Sequence, residues 1–213
     1  FTPTFARLVE RLVPEKPAGP EKIIVQPKFL DREMLEIPSM ALERVRFELG
    51  HMGEIITDML ARLDEGFLQR DKQKLEEVAM MDDKVDVLNE AILEYLSQVR
   101  QQPLTDRQSS EFQSLMSATI NLESLADIIE TDLSAIGKDY LNSDMQPSDT
   151  TRKLLRELGG KVVLAVGTLI RAIRENDENA AAGVIAMKDE IRHLADAALQ
   201  RQNFDYAITF FEQ

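Results

Sequence analysis

Four carboxylates at helical spacing are the residues in this chain whose types could do chemistry. Asp82 and Asp86 stand four apart in Met80-Met81-Asp82-Asp83-Lys84-Val85-Asp86-Val87-Leu88-Asn89-Glu90, and Glu123 and Asp127 stand four apart in Asn121-Leu122-Glu123-Ser124-Leu125-Ala126-Asp127-Ile128-Ile129-Glu130. Residues four apart share one face of a helix, so each pair sets two carboxylates on neighbouring turns, where they repel unless a cation lies between them. The apolar positions Leu75, Val78, Val85, Ile92 and Leu96 follow the alternating three-and-four spacing of packed helices and put Asp82 in a slot of the seam. A carboxylate there has its pKa raised by burial, or is compensated by a metal or by Lys or Arg. On antiparallel neighbouring helices the two pairs would make one all-oxygen site, suited to Mg, Ca, Mn or Fe, with Zn or Ni also accommodated. The competing interpretation is a solvated acidic face, neutralised by nearby cations such as Lys84 or Arg70.

Composition narrows the partners. The 213 residues carry a formal net charge of -13, which disfavours nucleic acid because a phosphate backbone is bound by clustered Lys and Arg. Cysteine is absent, so a disulfide or thiolate metal site is excluded and any metal must be held by oxygen or imidazole. The hydrophobic content of 44% suffices for a core, and the scarcity of aromatics favours helices over strands. No apolar run approaches the roughly 18 residues of a membrane-spanning helix. The chain starts at Phe1 and not at Met, which suggests a piece of something longer.

Six of the eight prolines fall at or before Pro38, and the others are Pro103 and Pro147, so long helices fit between them. Residues 1–38 read as a tether: a short apolar stripe (Phe5, Leu8, Val9, Leu12, Val13) precedes the extended Pro14-Glu15-Lys16-Pro17-Ala18-Gly19-Pro20. The stripe is either a docking element or the end of a membrane segment. Beyond Pro38, with Ser39 as N-cap, Leu42, Val45, Leu49, Met52, Ile56, Met59 and Leu63 predict a first long helix. Gly66 marks a turn, and the acid-bearing second helix runs from near Arg70 to about Val99. Thr105 to Gln108 has the form of a capping box, opening a third helix with Phe112, Leu115, Thr119, Leu122, Ala126, Ile129, Leu133 and Ile136 inward. Glu123, Asp127 and Glu130 then flank that seam.

A break from Gly137 through Asn142–Ser148 precedes a fourth helix carrying Leu155, Leu158, Val162, Leu169 and Ile173. The fifth helix, from about Asp177, carries Ala180, Val184, Met187, Ile191, Leu194 and Ala198, and a sixth begins near Phe204, too short to cover the other two. Glu48-Leu49-Gly50 recurs as Glu157-Leu158-Gly159, and Met81-Asp82-Asp83-Lys84-Val85 recurs loosely as Met187-Lys188-Asp189-Glu190-Ile191. The reading is all-α: a linker over 1–38, a three-helix bundle over 39–145, and a related second bundle over 146–213 truncated at its last helix. The uncovered apolar surface on the fourth and fifth helices predicts self-association.

Both histidines lie in Glu-x-x-His units, Glu48-Leu49-Gly50-His51 and Glu190-Ile191-Arg192-His193, a pattern that resembles carboxylate-bridged di-iron bundles. Leu49 and Ile191 are the seam residues here, so the flanking Glu and His are expected to point outward or to the flank. No nucleophile elbow, phosphate-cradling glycine loop or Ser/His/Asp grouping is present, and a non-catalytic protein is expected.

The paired acids on adjacent helices of a duplicated three-helix bundle resemble the PhoU family of phosphate-signalling proteins, whose hallmark is an acidic E(D)-x-x-x-D motif that can hold metal on the bundle surface. Asp82-x-x-x-Asp86 and Glu123-x-x-x-Asp127 fit that motif. Pro27-Lys28-Phe29-Leu30-Asp31 followed by Ile37-Pro38-Ser39-Met40-Ala41-Leu42-Glu43 is similar to the start of the PhoU-like cytoplasmic tail of bacterial sodium/phosphate cotransporters, and Phe1-Thr2-Pro3-Thr4-Phe5 with Leu12-Val13-Pro14-Glu15 is similar to the close of their membrane domain. Lys188 and Arg192 stand where the second bundle's acids belong, so one metal cluster is implied and not two. The resemblance implies a regulatory domain on the cytoplasmic face of the cell membrane, with a membrane transporter domain in the same full-length chain and Fe, Zn, Ni or Mg held by Asp82, Asp86, Glu123 and Asp127. A stand-alone phosphate-signalling adaptor and a di-iron enzyme are the alternatives.

Overall fold

A computed structural model of the protein describes residues 25–143 and 148–211, with the backbone alone for Leu68 and residues 202–211. The apolar stripe at 5–13 and the proline-rich stretch after it lie outside the described residues. Helix α1 (Pro38–Gln69) begins with Pro38 at its first position, where a missing N–H costs nothing, so Ser39 falls inside the first turn and Ile37 takes the cap position without a side-chain hydrogen bond. Arg70 ends α1 in the left-handed conformation, its N–H donating to the Gly66 carbonyl. Helix α2 (Lys72–Val99) is capped by Asp71, whose carboxylate accepts the Gln73 N–H at 2.9 Å. Helix α3 (Asp106–Ile128) opens on the expected capping box, with the Thr105 hydroxyl accepting from the Gln108 N–H and the Gln108 side-chain oxygen accepting from the Thr105 N–H. A π-helical turn (Ile129–Leu133) continues it into α4 (Ser134–Asn142), so the helix passes through Gly137 without a break. Helices α5 (Asp149–Glu175) and α6 (Glu178–Phe211) form a hairpin, joined where Asn176 takes the left-handed conformation.

The all-α class holds among the described residues. Helices α1, α2 and α3 close on one another around Leu42, Val45, Leu49, Met52, Ile56, Met59 and Leu63, as the spacing predicts. Two seam assignments are corrected. In α2 the buried residues are Leu75, Val78, Met81, Val85, Leu88, Ile92, Tyr95, Leu96 and Val99, a stripe at three- and four-residue steps that gives the slot to Met81 and leaves Asp82 on its flank. Beyond α3 the π turn adds one residue to the helix, which shifts the inward positions by one: Ser134 and Gly137 are buried, Leu133 is half-buried, and Ile136 is 59% exposed.

Residues 25–37 are not a free tether. They lie against the bundle as a strap, with Val25, Leu30 and Leu35 half-buried on its core and a short 3-10 turn at Arg32–Glu36 leading into α1. Residues 146–213 do not close into a bundle of their own among the described residues. Helix α5 lays Val166 and Ile170 on α1, and α6 packs on α5 and on no other described element. The seam of α6 is therefore fully buried only at Ala180 and Ala198, while Val184, Met187, Ile191 and Leu194 are half-exposed; Leu155 of α5 faces solvent. No new helix begins near Phe204, because α6 runs through that position to Phe211.

Position on α1 explains its glycines. From Glu48 to Gly53 every residue is buried, since α2, α3, the strap and α5 surround that stretch. A Cβ on Gly53 would come within 2.5 Å of Ile170 Cγ1, so the bare backbone is what lets α5 lie this close.

Candidate metal centre on the first bundle

Antiparallel packing of α2 and α3 brings three of the four candidate acids together. One carboxylate oxygen each from Asp82, Asp86 and Asp127 lie within 4.8 Å of one another, close enough for one cation to touch all three. Glu123 is not in this group. It sits one turn, about 6 Å, before Asp127 on α3. Its nearest hydrogen-bonding neighbour is its own Ser124, whose hydroxyl donates to it at 3.4 Å. Glu130, on the other side of Asp127, bears on Asp82 instead.

The electrostatics are those of like charges held together. Burial on the flank of the seam pushes the Asp82 carboxyl up to about 7, and Asp86, Asp127, Glu130 and Asp83 push it in the same direction. Asp86 is raised as well, by burial first and then by Asp127, Asp83 and Glu90. Among the described residues no cation pairs with them: Lys84 and Arg70, the candidate neutralisers, form no ion pair with the cluster, and Arg70 turns away to the carbonyls of Leu141 and Ser143 and the ring of Tyr140. The Asp82 Oδ1 atom is sealed from solvent and has no hydrogen-bond partner among the described residues. An orphaned acceptor in an all-oxygen, acid-only cluster is the donor set of a hard cation, so the residues fit such a metal. The π turn beginning at Ile129 lies directly beside Asp127, a placement such turns often have at functional sites.

The Glu-x-x-His unit on α6 points outward as expected, whereas the one on α1 lies on the flank of the seam but is buried. Glu48 is fully buried and His51 is 8% exposed, because the strap covers the flank of α1 on which they stand. Glu48 Oε1 meets His51 Nδ1 at 2.8 Å, and Glu48 Oε2 accepts the Phe29 N–H at 2.6 Å. The Phe29 ring packs against Phe47 and edge-on to His51, and the Tyr95 hydroxyl donates to the Asp31 carbonyl at 2.7 Å. Glu190 and His193 are exposed on α6, with Glu190 paired to Lys161 at 2.8 Å. The two units are therefore on helices that do not touch among the described residues, and no di-iron constellation is assembled from them. The buried Glu48–His51 anchor was missed by periodicity alone; the signal for it is the apolar Phe29-Leu30 pair upstream, which needs a surface to cover.

Residues 49–131 match the PhoU domain model. The match runs from within α1 to the π turn and so contains all three clustered acids and Glu123, which bears out the PhoU resemblance over that stretch. Among curated proteins the chain is similar to the "Putative inorganic phosphate export protein YjbB" of Escherichia coli (strain K12), 25% identical over 130 residues, and of Salmonella typhimurium, 26% identical over 130 residues. Each alignment covers 61% of this chain and 23% of the relative, so the chain spans about a quarter of the length of the proteins it matches. No solved structure matches.

Proposed function

We propose that this chain is a regulatory, non-catalytic PhoU-like domain of a sodium-coupled phosphate transport protein. It acts from the cytoplasmic face of the membrane on a transporter domain in the same full-length chain. Asp82, Asp86 and Asp127 hold a divalent or iron-type cation. The observation that carries this reading is the coincidence of two things: the PhoU match spans α2 and α3, and those two helices bring three acids into one cluster whose Asp82 Oδ1 has no partner. The similarity to phosphate export proteins supplies the substrate class.

In this reading the cation neutralises three carboxylates that otherwise repel across the α2–α3 seam, and so fixes how those helices sit against each other. The strap carries that state to whatever precedes it. The test has two parts. Metal content is measured by elemental analysis on the purified protein and on Asp82→Asn, Asp86→Asn, Asp127→Asn, with Glu123→Gln as a control that should keep its metal. Phosphate flux is then followed in cells whose full-length protein carries the same substitutions. Metal that persists in the triple variant removes the cluster from the proposal; unaltered flux on deleting residues 38–213 removes the regulatory role.

A further inference from the structure

Two exposed helix faces in this molecule have opposite charge and equal length. The outer face of α2 presents Glu76, Met80, Asp83, Val87, Glu90 and Glu94, all exposed and spaced at alternating fours and threes, with Met80 50% and Val87 39% exposed between the acids. The outer face of α5 presents Lys153, Arg156, Gly160, Leu164, Gly167 and Arg171, also all exposed, with Leu164 52% exposed at its middle. Each stripe spans nineteen residues, about 27 Å of helix from first to last. Lys153, Arg156 and Arg171 form no ion pair among the described residues, nor do Glu76, Asp83 and Glu90; Glu94 alone is shared, at 3.9 Å, with Arg32.

The glycines are unexplained by the chain's own fold. A Cβ at Gly160 or Gly167 would meet nothing within 4 Å, unlike Gly53, which α5 requires. Glycine inside an exposed helix costs about 0.5–1 kcal/mol relative to alanine, so two on one face, with no contact to explain them, mark a strip left bare.

We propose that the α5 face docks on the α2 face of a second copy of this chain, antiparallel. Antiparallel alignment sets Arg171 against Glu76, Lys153 against Glu94 and Arg156 beside Glu90. The same register puts Met80 opposite Gly167 and Val87 opposite Gly160, where the missing side chains leave room for them. Leu164 then sits between Met80 and Val87, beside Asp83. Bare backbone at the crossing allows close helix approach, and the charges at both ends fix the register. This goes beyond the regulatory reading and does not rest on it.

The test is sedimentation velocity on the whole chain at low and high salt. The parent should associate, and its affinity should fall at least about tenfold as salt rises, since the ion pairs are on the rim. Lys153→Glu, Arg156→Glu, Arg171→Glu should be monomeric alone, as should Glu76→Lys, Asp83→Lys, Glu90→Lys; mixed, the two should associate again, because each then presents the other's complement. Gly160→Leu, Gly167→Leu should also be monomeric while its melting temperature stays equal or rises, which separates loss of docking from loss of fold. A monomeric parent, reversal variants that associate as the parent does, or a mixture that stays monomeric would each overturn the proposal. So would α5 reversal that abolishes binding to phosphatidylserine vesicles and leaves self-association unchanged, since the basic stripe would then belong to a membrane.

Discussion

The same sequence phrase sits in two parts of this molecule with opposite outcomes. Glu48-Leu49-Gly50 on α1 is wholly buried, whereas in Glu157-Leu158-Gly159 on α5 the glutamate is exposed, the leucine is half-buried and the glycine has open space where a Cβ would be. The difference lies in the neighbours. Helix α1 is enclosed by α2, α3, α5 and the strap, while α5 rests, among the described elements, on α1 and α6 alone. Helical period tells which residues share a face, but the number of elements that cover the face decides whether it becomes core.

The comparison is broken most directly by removing equivalent side chains from each part. Leu49→Ala, in the enclosed stretch, should cost about 2–5 kcal/mol, because its void is walled on every side and cannot collapse. Met187→Ala, on the half-exposed seam of α6, should cost about 1 kcal/mol or less, since solvent already reaches that seam. Chemical denaturation of both variants measures the ratio, and equal costs would mean the hairpin is as tightly covered as α1.

Glu48→Ala tests the strap. It leaves the Phe29 N–H and the His51 ring nitrogen without their partner in a buried place, a cost of about 2–3 kcal/mol. No residue of the 3-10 turn is buried, so the polar anchor is a large share of what holds the strap. Hydrogen exchange should therefore show loss of protection at the Phe29 amide and over residues 29–37, with α2 and α3 protected as before. Uniform loss across the bundle would make the strap part of the core and not an appendage to it.

Gly53→Ala probes the joint between the two parts. The new Cβ would strike Ile170, and α5 must shift or Ile170 change rotamer, at about 1–2 kcal/mol. The expected signature is faster exchange along α5 and α6 with α1 to α3 unchanged. Gly160→Ala, with nothing near its Cβ, should instead stabilise by a few tenths of a kcal/mol or more.

How far these features could be read from sequence follows from their range. The helices, the capping box at Thr105 and the α1 seam were legible because each depends on residues within a few positions of one another. Asp82 was placed one position too far into the seam because Met81, the residue that fills the slot, is equally compatible with the spacing. The register shift at Ser134 was not legible: a π turn replaces one hydrogen-bond pattern by another without a distinctive residue type. Three of the four candidate acids, Asp82, Asp86 and Asp127, lie together; four-residue spacing fixes each pair, but which turn of α3 lies level with Asp82 is a tertiary matter that spacing cannot express. Burial of Glu48 and His51 depended on a segment about 20 residues upstream folding back, which helical period cannot express.

The last expected effect concerns the cluster itself, and its sign is set by Asp82. Its folded pKa is about 7, above the unfolded carboxylate value, so in the absence of metal the folded state binds a proton that the unfolded chain does not hold until more acid conditions. Ionised Asp82 therefore costs stability above neutral pH, and the cost fades as pH falls from about 7 towards 4. Asp82→Asn removes the charge and keeps the shape. It should stabilise the metal-free protein by about 1 kcal/mol at pH 8, after allowance for the partial exposure of the site, by less than half of that at pH 5, and by close to nothing only below about pH 4. Thermal melts of the two proteins across that range, with chelator present, measure the gap. A gap that stays constant with pH would place the effect in packing and not in charge. With a cation bound the sign reverses, because Asn removes a ligand from a site whose repulsion the metal has already cancelled.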